Sequence, residues 1–124
     1  MSDSAVGTVG WMDLTVDNAE EVRDFYQAVV GWEPSPVDMG GYSDFTMNVE
    51  GAPVGGVCHA RGGNTGLPPV WLFYVNVADL DESIAACTAN GGVIVAGPKD
   101  MGEHGRYCVV KDPAGAPFAL FQTV

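Results

Sequence analysis

The alternation of apolar and polar positions divides the chain into two similar halves. Gly10-Trp-Met-Asp-Leu-Thr-Val16 sends Met12, Leu14 and Val16 to one side and Trp11, Asp13 and Thr15 to the other, the period of a half-buried strand. Trp71-Leu-Phe-Tyr-Val-Asn-Val77 repeats the pattern, with Trp71, Phe73, Val75 and Val77 opposite Leu72, Tyr74 and Asn76. A helix follows each strand. Asn18 and Asp79 stand three residues before Glu21 and Glu82, the spacing of a capping box. Val22, Phe25, Tyr26 and Val29 recur at helical spacing and predict one apolar stripe on the first helix. Gly31 and the Gly91-Gly92 pair are natural left-handed stops. Three short strands complete each half, near 32–38, 43–49 and 54–59, then near 93–97, 106–111 and 117–123. Turn residues separate them: Gly40-Gly41, Glu50-Gly-Ala-Pro53 and Asp112-Pro-Ala-Gly115.

The halves also repeat in identity. Val16-Asp-Asn-Ala-Glu-Glu21 aligns with Val77-Ala-Asp-Leu-Asp-Glu82 at an offset of 61 residues, which also pairs Ala28 with Ala89 and Gly31 with Gly92. Gly51-Ala-Pro53 matches Gly115-Ala-Pro117 at an offset of 64, so the second copy has gained three residues. The reading is an α+β fold of two βαβββ modules, 7–60 and 70–124, joined by the Gly/Pro-rich linker 61–69 within a single domain 1–124.

Charge narrows the range of partners. Sixteen Asp and Glu against five Lys and Arg give a net charge of −11 over 124 residues. Nucleic-acid binding needs clustered cations to displace phosphate counterions, and anionic membrane surfaces attract basic segments, so neither is an expected partner. No run approaches the length of a membrane span, and the first residues lack the basic-then-apolar order of a signal peptide. Cys58, Cys87 and Cys108 are odd in number and form no C-x-x-C pair, which reads as buried thiols in a reducing compartment. The expected location is the cytoplasm.

Candidate chemistry lies on the strand faces that the helices do not need. Met12, Leu14 and Val16 require cover, and an amphipathic helix supplies it. The opposite faces carry Trp11, Asp13 and Thr15 in one module and Leu72, Tyr74 and Asn76 in the other. Rings with a few fixed polar groups are the usual lining of a small-ligand cavity. Asp13 beside Trp11 is a candidate anchor or general base; the competing reading pairs it structurally with Arg106 or a tyrosine. His104, in Met101-Gly-Glu-His-Gly-Arg106, is the second candidate base, although adjacent Glu103 and His104 on an extended chain point opposite ways. His59 ends a predicted strand beside the linker and ranks below it.

Several stretches then act together: Trp11-Met-Asp-Leu-Thr-Val-Asp17, Phe25-Tyr26 followed by Val30-Gly-Trp32, Val77-Ala-Asp-Leu-Asp-Glu82 and Asn90-Gly-Gly-Val93. Gly105-Arg-Tyr107 and Asp112-Pro-Ala-Gly-Ala-Pro-Phe-Ala-Leu120 complete the set. In this order they resemble the vicinal oxygen chelate superfamily, which includes glyoxalases, bleomycin-resistance proteins and extradiol dioxygenases. The resemblance implies curved mixed sheets forming a shared cavity, a small-molecule partner and a homodimer. It also implies four metal-ligand positions, one in the first and one in the last strand of each module, usually His or Glu. By spacing they fall on Trp11, Leu72, Ala119 and either Gly55 or Gly56, none of which has a metal-binding side chain. No metal or other cofactor is therefore expected.

Three functions follow. The first is a metal-free protein binding a small apolar or aromatic ligand through Trp11, Asp13, Leu72, Tyr74 and Phe121. The second is a metal-independent isomerase, epimerase or lyase acting on a small carbonyl compound, with Asp13 or His104 as base. The third is a metal-dependent lyase or dioxygenase with ligands at unfamiliar positions. Binding needs only shape and a few anchors, and the sequence offers no well-defined acid–base pair, so the first reading leads.

Overall fold

The elements form in the order that the periodicity predicts. The computed structural model describes residues 5–123. Within them β1 (Val9–Val16), α1 (Ala19–Val30), β2 (Glu33–Asp38), β3 (Ser43–Val49) and β4 (Ala52–His59) make the first βαβββ series. The second is β5 (Trp71–Asn76), α2 (Leu80–Ala89), β6 (Val93–Asp100), β7 (Arg106–Lys111) and β8 (Pro117–Gln122). No helix among the described residues is long and apolar enough to cross a membrane.

The chain packs as two compact units, Met12–Trp71 and Met1–Trp11 with Leu72–Val124, so the division falls inside β1 and inside β5. In the Met12–Trp71 unit the strand order is β2-β3-β4-β1, antiparallel except for the parallel β1–β4 pair. In the other unit the order is β5-β8-β7-β6, and again only the pair involving the module's first strand, β5–β8, is parallel. Parallel neighbours need a long crossover, which the helix of each module provides.

Helix α1 rests on Phe45, Met47 and Val57 through Ala19, Val22 and Tyr26. The predicted stripe is narrower than expected: Phe25 is 56% exposed and Val29 62%. Phe25 lies one position around the helix from the Ala19–Val22–Tyr26 line that packs on the sheet, and Val29 belongs to the exposed last turn. Tyr26 also organises the rings of this unit. It stacks on Trp32 at 5.5 Å, meets Trp71 edge-on at 5.4 Å and accepts a 2.9 Å hydrogen bond from Trp71 Nε1. Tyr26 and Trp32 of the Phe-Tyr…Gly-Trp signature therefore act in this unit's packing, at roughly 0.5–1.5 kcal/mol per ring pair beyond area burial.

Helix α2 covers Cys108, Val110 and Leu120 through Leu80 and Ile84. Its start is capped as predicted, the Asp79 carboxylate accepting from the Glu82 N–H at 3.1 Å. Asn18 does not cap α1. Its backbone lies outside the extended region, and its side-chain amide donates to Glu21 Oε1 at 2.9 Å instead. At the helix ends Gly31 and Gly91 take the left-handed conformation, at φ 78° and 92°. Gly92 serves a different need, since a Cβ there would strike Cys87 Sγ and approach the Lys111 carbonyl. Of the three cysteines Cys108 is buried and Cys58 and Cys87 are half-buried, all as free thiols.

Met47 is fully buried and Phe25 largely exposed, although both sit on apolar-patterned elements. Met47→Ala should cost about 2–5 kcal/mol in urea denaturation.

Candidate functional site

In the unit containing Leu72–Val124 the sheet has two unlike faces. Leu120 is cross-strand to Val75 and Cys108, and this row faces α2. The rows between it face away: Tyr74–Ala119–Val109 and Asn76–Phe121–Tyr107. Tyr74 and Tyr107 meet with ring centroids 5.9 Å apart, and Lys99, cross-strand to Tyr107, holds its ammonium 5.8 Å from the Tyr107 ring centre. Tyr107 is nearly buried, while Tyr74 and Phe121 are half-buried. Leu72, two residues before Tyr74, is 1% exposed and forms the packed base of the same face. At its margin the Asn76 amide donates to Thr8 Oγ1 at 3.0 Å, which neutralises the polar end of the row.

The corresponding face of the Met12–Trp71 unit is polar. The row Asp13–Gly56–Thr46 runs across β1, β4 and β3, and Thr15 pairs with Cys58 beside it, opposite the Leu14–Val57–Phe45 row that belongs to the apolar side. A Cβ on Gly56 would collide with Asp13 Oδ1, so glycine is what leaves the carboxylate its place. Asp44 is buried, and its Oδ1 accepts from the His59 backbone N–H at 2.8 Å and faces His59 Nδ1 at 3.2 Å. Burial pushes the Cys58 thiol far above its ordinary range, and the charges of Asp13 and Asp44 and a hydrogen bond to Asp44 add to the shift. A thiol held protonated beside two carboxylates is a poor nucleophile, so Cys58 is a structural donor here. A small groove of about 200 Å³ borders this unit, lined in part by Thr15, Asn18, Ala60 and Pro69. It is below the usual size of a site for a drug-sized ligand.

Strand register settles the alignment of the family's metal positions. Tyr74 and Asp13 each stand two residues past the first-strand position, and they pair with Ala119 and Gly56. The fourth position is thus Gly56; Gly55 faces Met12 on the other side of its strand. Indole, isobutyl, methyl and hydrogen at Trp11, Leu72, Ala119 and Gly56 offer no metal-donor atom. The metal implied by the fold family does not fit these residues. Nor do three of His, Cys, Asp and Glu converge as a potential metal cluster anywhere among the described residues.

Of the residues singled out in the sequence, Leu72, Tyr74 and Phe121 share one face. Trp11 shares its side of β1 with Asp13 by strand period, and both have partners of their own. Asp13 is half-buried, and the Arg106 guanidinium binds Asp81 at 3.1 Å. His104 ends the exposed single turn Gly102–His104. Sequence reasoning passed over Tyr107 and Lys99 as neighbours on the ring face, and Asp44 as the partner of His59. Alternation along Arg106–Lys111 could have placed Tyr107 on the ring face. Nothing in the sequence signals the contacts of Asp44, which depend on the register of β3 against β4.

Two outcomes follow from the polar face. Gly56→Ala should lower the melting temperature by several degrees, and combining it with Asp13→Gly should recover part of the loss; the coupling is read from a double-mutant cycle. A thiol whose folded pKa is raised contributes stability that is intact below the unfolded thiol's pKa and lost as pH rises above it. Wild-type stability should therefore fall relative to Cys58→Ser above about pH 9, with a limiting slope near 1.4 kcal/mol per pH unit in denaturation series.

Comparison with known proteins agrees with this architecture. Residues 8–120 match the family described as Glyoxalase/Bleomycin resistance protein/Dioxygenase superfamily. The chain is 33% identical over 129 aligned residues to the Mycobacterium bovis protein named "Putative glyoxylase CFP32", covering 98% of this chain and 48% of that protein. It is 30% identical over 116 residues to the anthracycline biosynthesis protein DnrV of Streptomyces peucetius, covering 94% of this chain and 42% of the relative. The chain thus spans about half the length of the curated relatives it matches. Among solved structures it resembles methylmalonyl-CoA epimerase from Mycobacterium tuberculosis, with a TM-score of 0.55 at 15% identity, covering 100% of this chain and 93% of that one. At that identity the likeness concerns the fold. The family match, the two βαβββ series and the parallel β1–β4 and β5–β8 pairs lead to one assignment: the chain belongs to the glyoxalase/bleomycin resistance protein/dioxygenase superfamily.

Proposed function

We propose that this chain is a small-molecule-binding member of its superfamily that holds a flat, largely apolar ligand without a metal ion. The observation that carries the reading is the ring-bearing sheet face of Tyr74, Tyr107 and Phe121, floored by Leu72 and Ala119 at positions where the family places metal ligands. Aromatic side chains favour offset or edge-on contact with another π-system and also supply large apolar area, which suits a planar fused-ring compound. The named role of a 30%-identical relative in anthracycline biosynthesis supports a ligand of that shape. An isomerase, epimerase or lyase with Asp13 or His104 as base draws less support: His104 is exposed, and likeness to the epimerase is confined to fold. We also propose a homodimer, supported by exposed Phe25, Val29 and Val30 on α1 and by relatives about twice as long.

A thermal-shift screen of fused-ring aromatic compounds against saturated compounds of equal size tests the binding reading. Planar compounds should raise the melting temperature, with stabilisation near 2.7 kcal/mol when free ligand is about one hundred times Kd. Tyr74→Ala should weaken the best compound about tenfold or more while retaining the wild-type far-UV spectrum. No shift with any planar compound, or equal binding by Tyr74→Ala, contradicts the proposal. Light scattering should give twice the 13.0 kDa chain mass; a monomeric mass contradicts the dimer.

A further inference from the structure

We propose that His59 and Arg61 form a ligand site of their own in the Met12–Trp71 unit, one that holds the oxyanion of a small organic acid, a phosphate ester or a carboxylate. No residue of the ring face takes part. Strand β4 ends in a tight turn in which the Arg61 N–H donates to the His59 carbonyl at 2.8 Å, so the two basic residues leave one fixed stretch of backbone. Tyr42 then joins their side chains. Its ring meets the His59 imidazole edge-on with centroids 5.3 Å apart, and the Arg61 guanidinium lies 4.0 Å from the same ring's centre. A guanidinium stacked by its face keeps its N–H edge for a ligand.

His59 is oriented by Asp44, which is 6% exposed. Asp44 Oδ1 accepts from the His59 backbone N–H at 2.8 Å and faces Nδ1 at 3.2 Å. A carboxylate only accepts, so Nδ1 carries the hydrogen and Nε2 is the nitrogen left to exchange a proton. The imidazole side chain is 13% exposed. Among the described residues no buried side-chain nitrogen or oxygen lacks a partner, and Nδ1 is the ring nitrogen that is bonded, so Nε2 is the end that water reaches. The charged and titratable groups around this ring are Asp44, Tyr42, Arg61, Arg23 over the adjoining Phe45 ring, and the Cys58 thiol with Asp13 beyond it. Arg23 pairs with Asp24, and the thiol stays protonated. Imidazolium and the Arg61 guanidinium therefore outweigh one buried carboxylate, a local positive charge in a chain of net charge −11. An oxyanion between Nε2–H and the guanidinium edge makes two charge-assisted hydrogen bonds. Nε2 donates only when the ring is protonated, so binding takes up a proton and tightens as pH falls.

Sulfate and formate test the site, because each keeps a constant charge between about pH 8 and about pH 5, the range in which imidazoles titrate. Each is titrated against chloride at fixed ionic strength into nitrogen-15-labelled wild type, Arg61→Met and His59→Gln, followed by NMR of the imidazole nitrogens and of the Ala60 and Arg61 amides. Wild type should bind at least one probe about tenfold more tightly at about pH 5.5 than at about pH 8, with Nε2 shifting on binding. Tighter sulfate assigns a phosphate-type ligand, tighter formate a carboxylate. Arg61→Met should weaken binding about tenfold with an unchanged far-UV spectrum, and His59→Gln should lose the pH dependence. Binding no stronger than chloride's, an affinity unchanged in Arg61→Met, or a pH dependence absent from wild type or surviving in His59→Gln overturns the proposal. Arg61 is exposed, so its variant decides the matter even where His59→Gln fails to fold.

Discussion

A β-strand cannot send neighbouring side chains to the same side of its sheet, and the organisation of this protein depends on that constraint. In β1 and β5 the apolar side is claimed by a helix, so whatever stands at the alternate positions is committed to the other face. There the two units differ. One presents Tyr74, Tyr107 and Phe121; the other presents Asp13, Thr15, Cys58 and Asp44. A shift of one residue in either strand would exchange the core for the site, which is why burial of Leu14 and Val57, and of Leu120 and Cys108, fixes the chemistry opposite them.

That coupling explains how the fold can persist with apolar or small residues at the four positions where its family places metal ligands. The signature aromatic residues Tyr26 and Trp32 act in packing, with Trp71 closing the cluster through its hydrogen bond to Tyr26. Asp79 works as a helix cap, and Asp112 accepts the Ala114 and Ala116 N–H groups to shape the last turn. None of these depends on what occupies the four metal positions. Trp11, Leu72, Gly56 and Ala119 can be apolar or small with no loss to the helix-facing core, and Gly56 gives its space to the Asp13 carboxylate. The polar face is built to be satisfied: no buried side-chain nitrogen or oxygen among the described residues lacks a hydrogen-bond partner. Satisfied polar groups fix register and orientation.

Much of the architecture was legible in the sequence because it depends on local periodicity. Strand alternation, the Asp79 cap and the Gly31 stop are short-range signals, and the internal repeat showed that they form two like modules. The reading was weaker where two elements had to meet. Helix spacing assigned Phe25 and Val29 to the buried stripe, but the width of cover is set by the opposing sheet. Asn18 had the spacing of a cap, yet its side chain found Glu21. The choice between Gly55 and Gly56, the contact of Tyr107 with Tyr74 and the approach of Lys99 all depend on cross-strand register, with two irregularities in β6. Candidate ligand residues on one strand could be grouped by period, whereas their partners on other strands could not.

The central claim is that ligand recognition here resides in rings and apolar groups and needs no bound cation. The most direct measurement is calorimetric titration of the best planar ligand into protein stripped with a chelator and then resupplied with zinc, nickel, manganese or ferrous iron. The account predicts one affinity throughout, with metal content after stripping near zero by elemental analysis. Binding that vanishes on stripping and returns with one stoichiometric metal would contradict it.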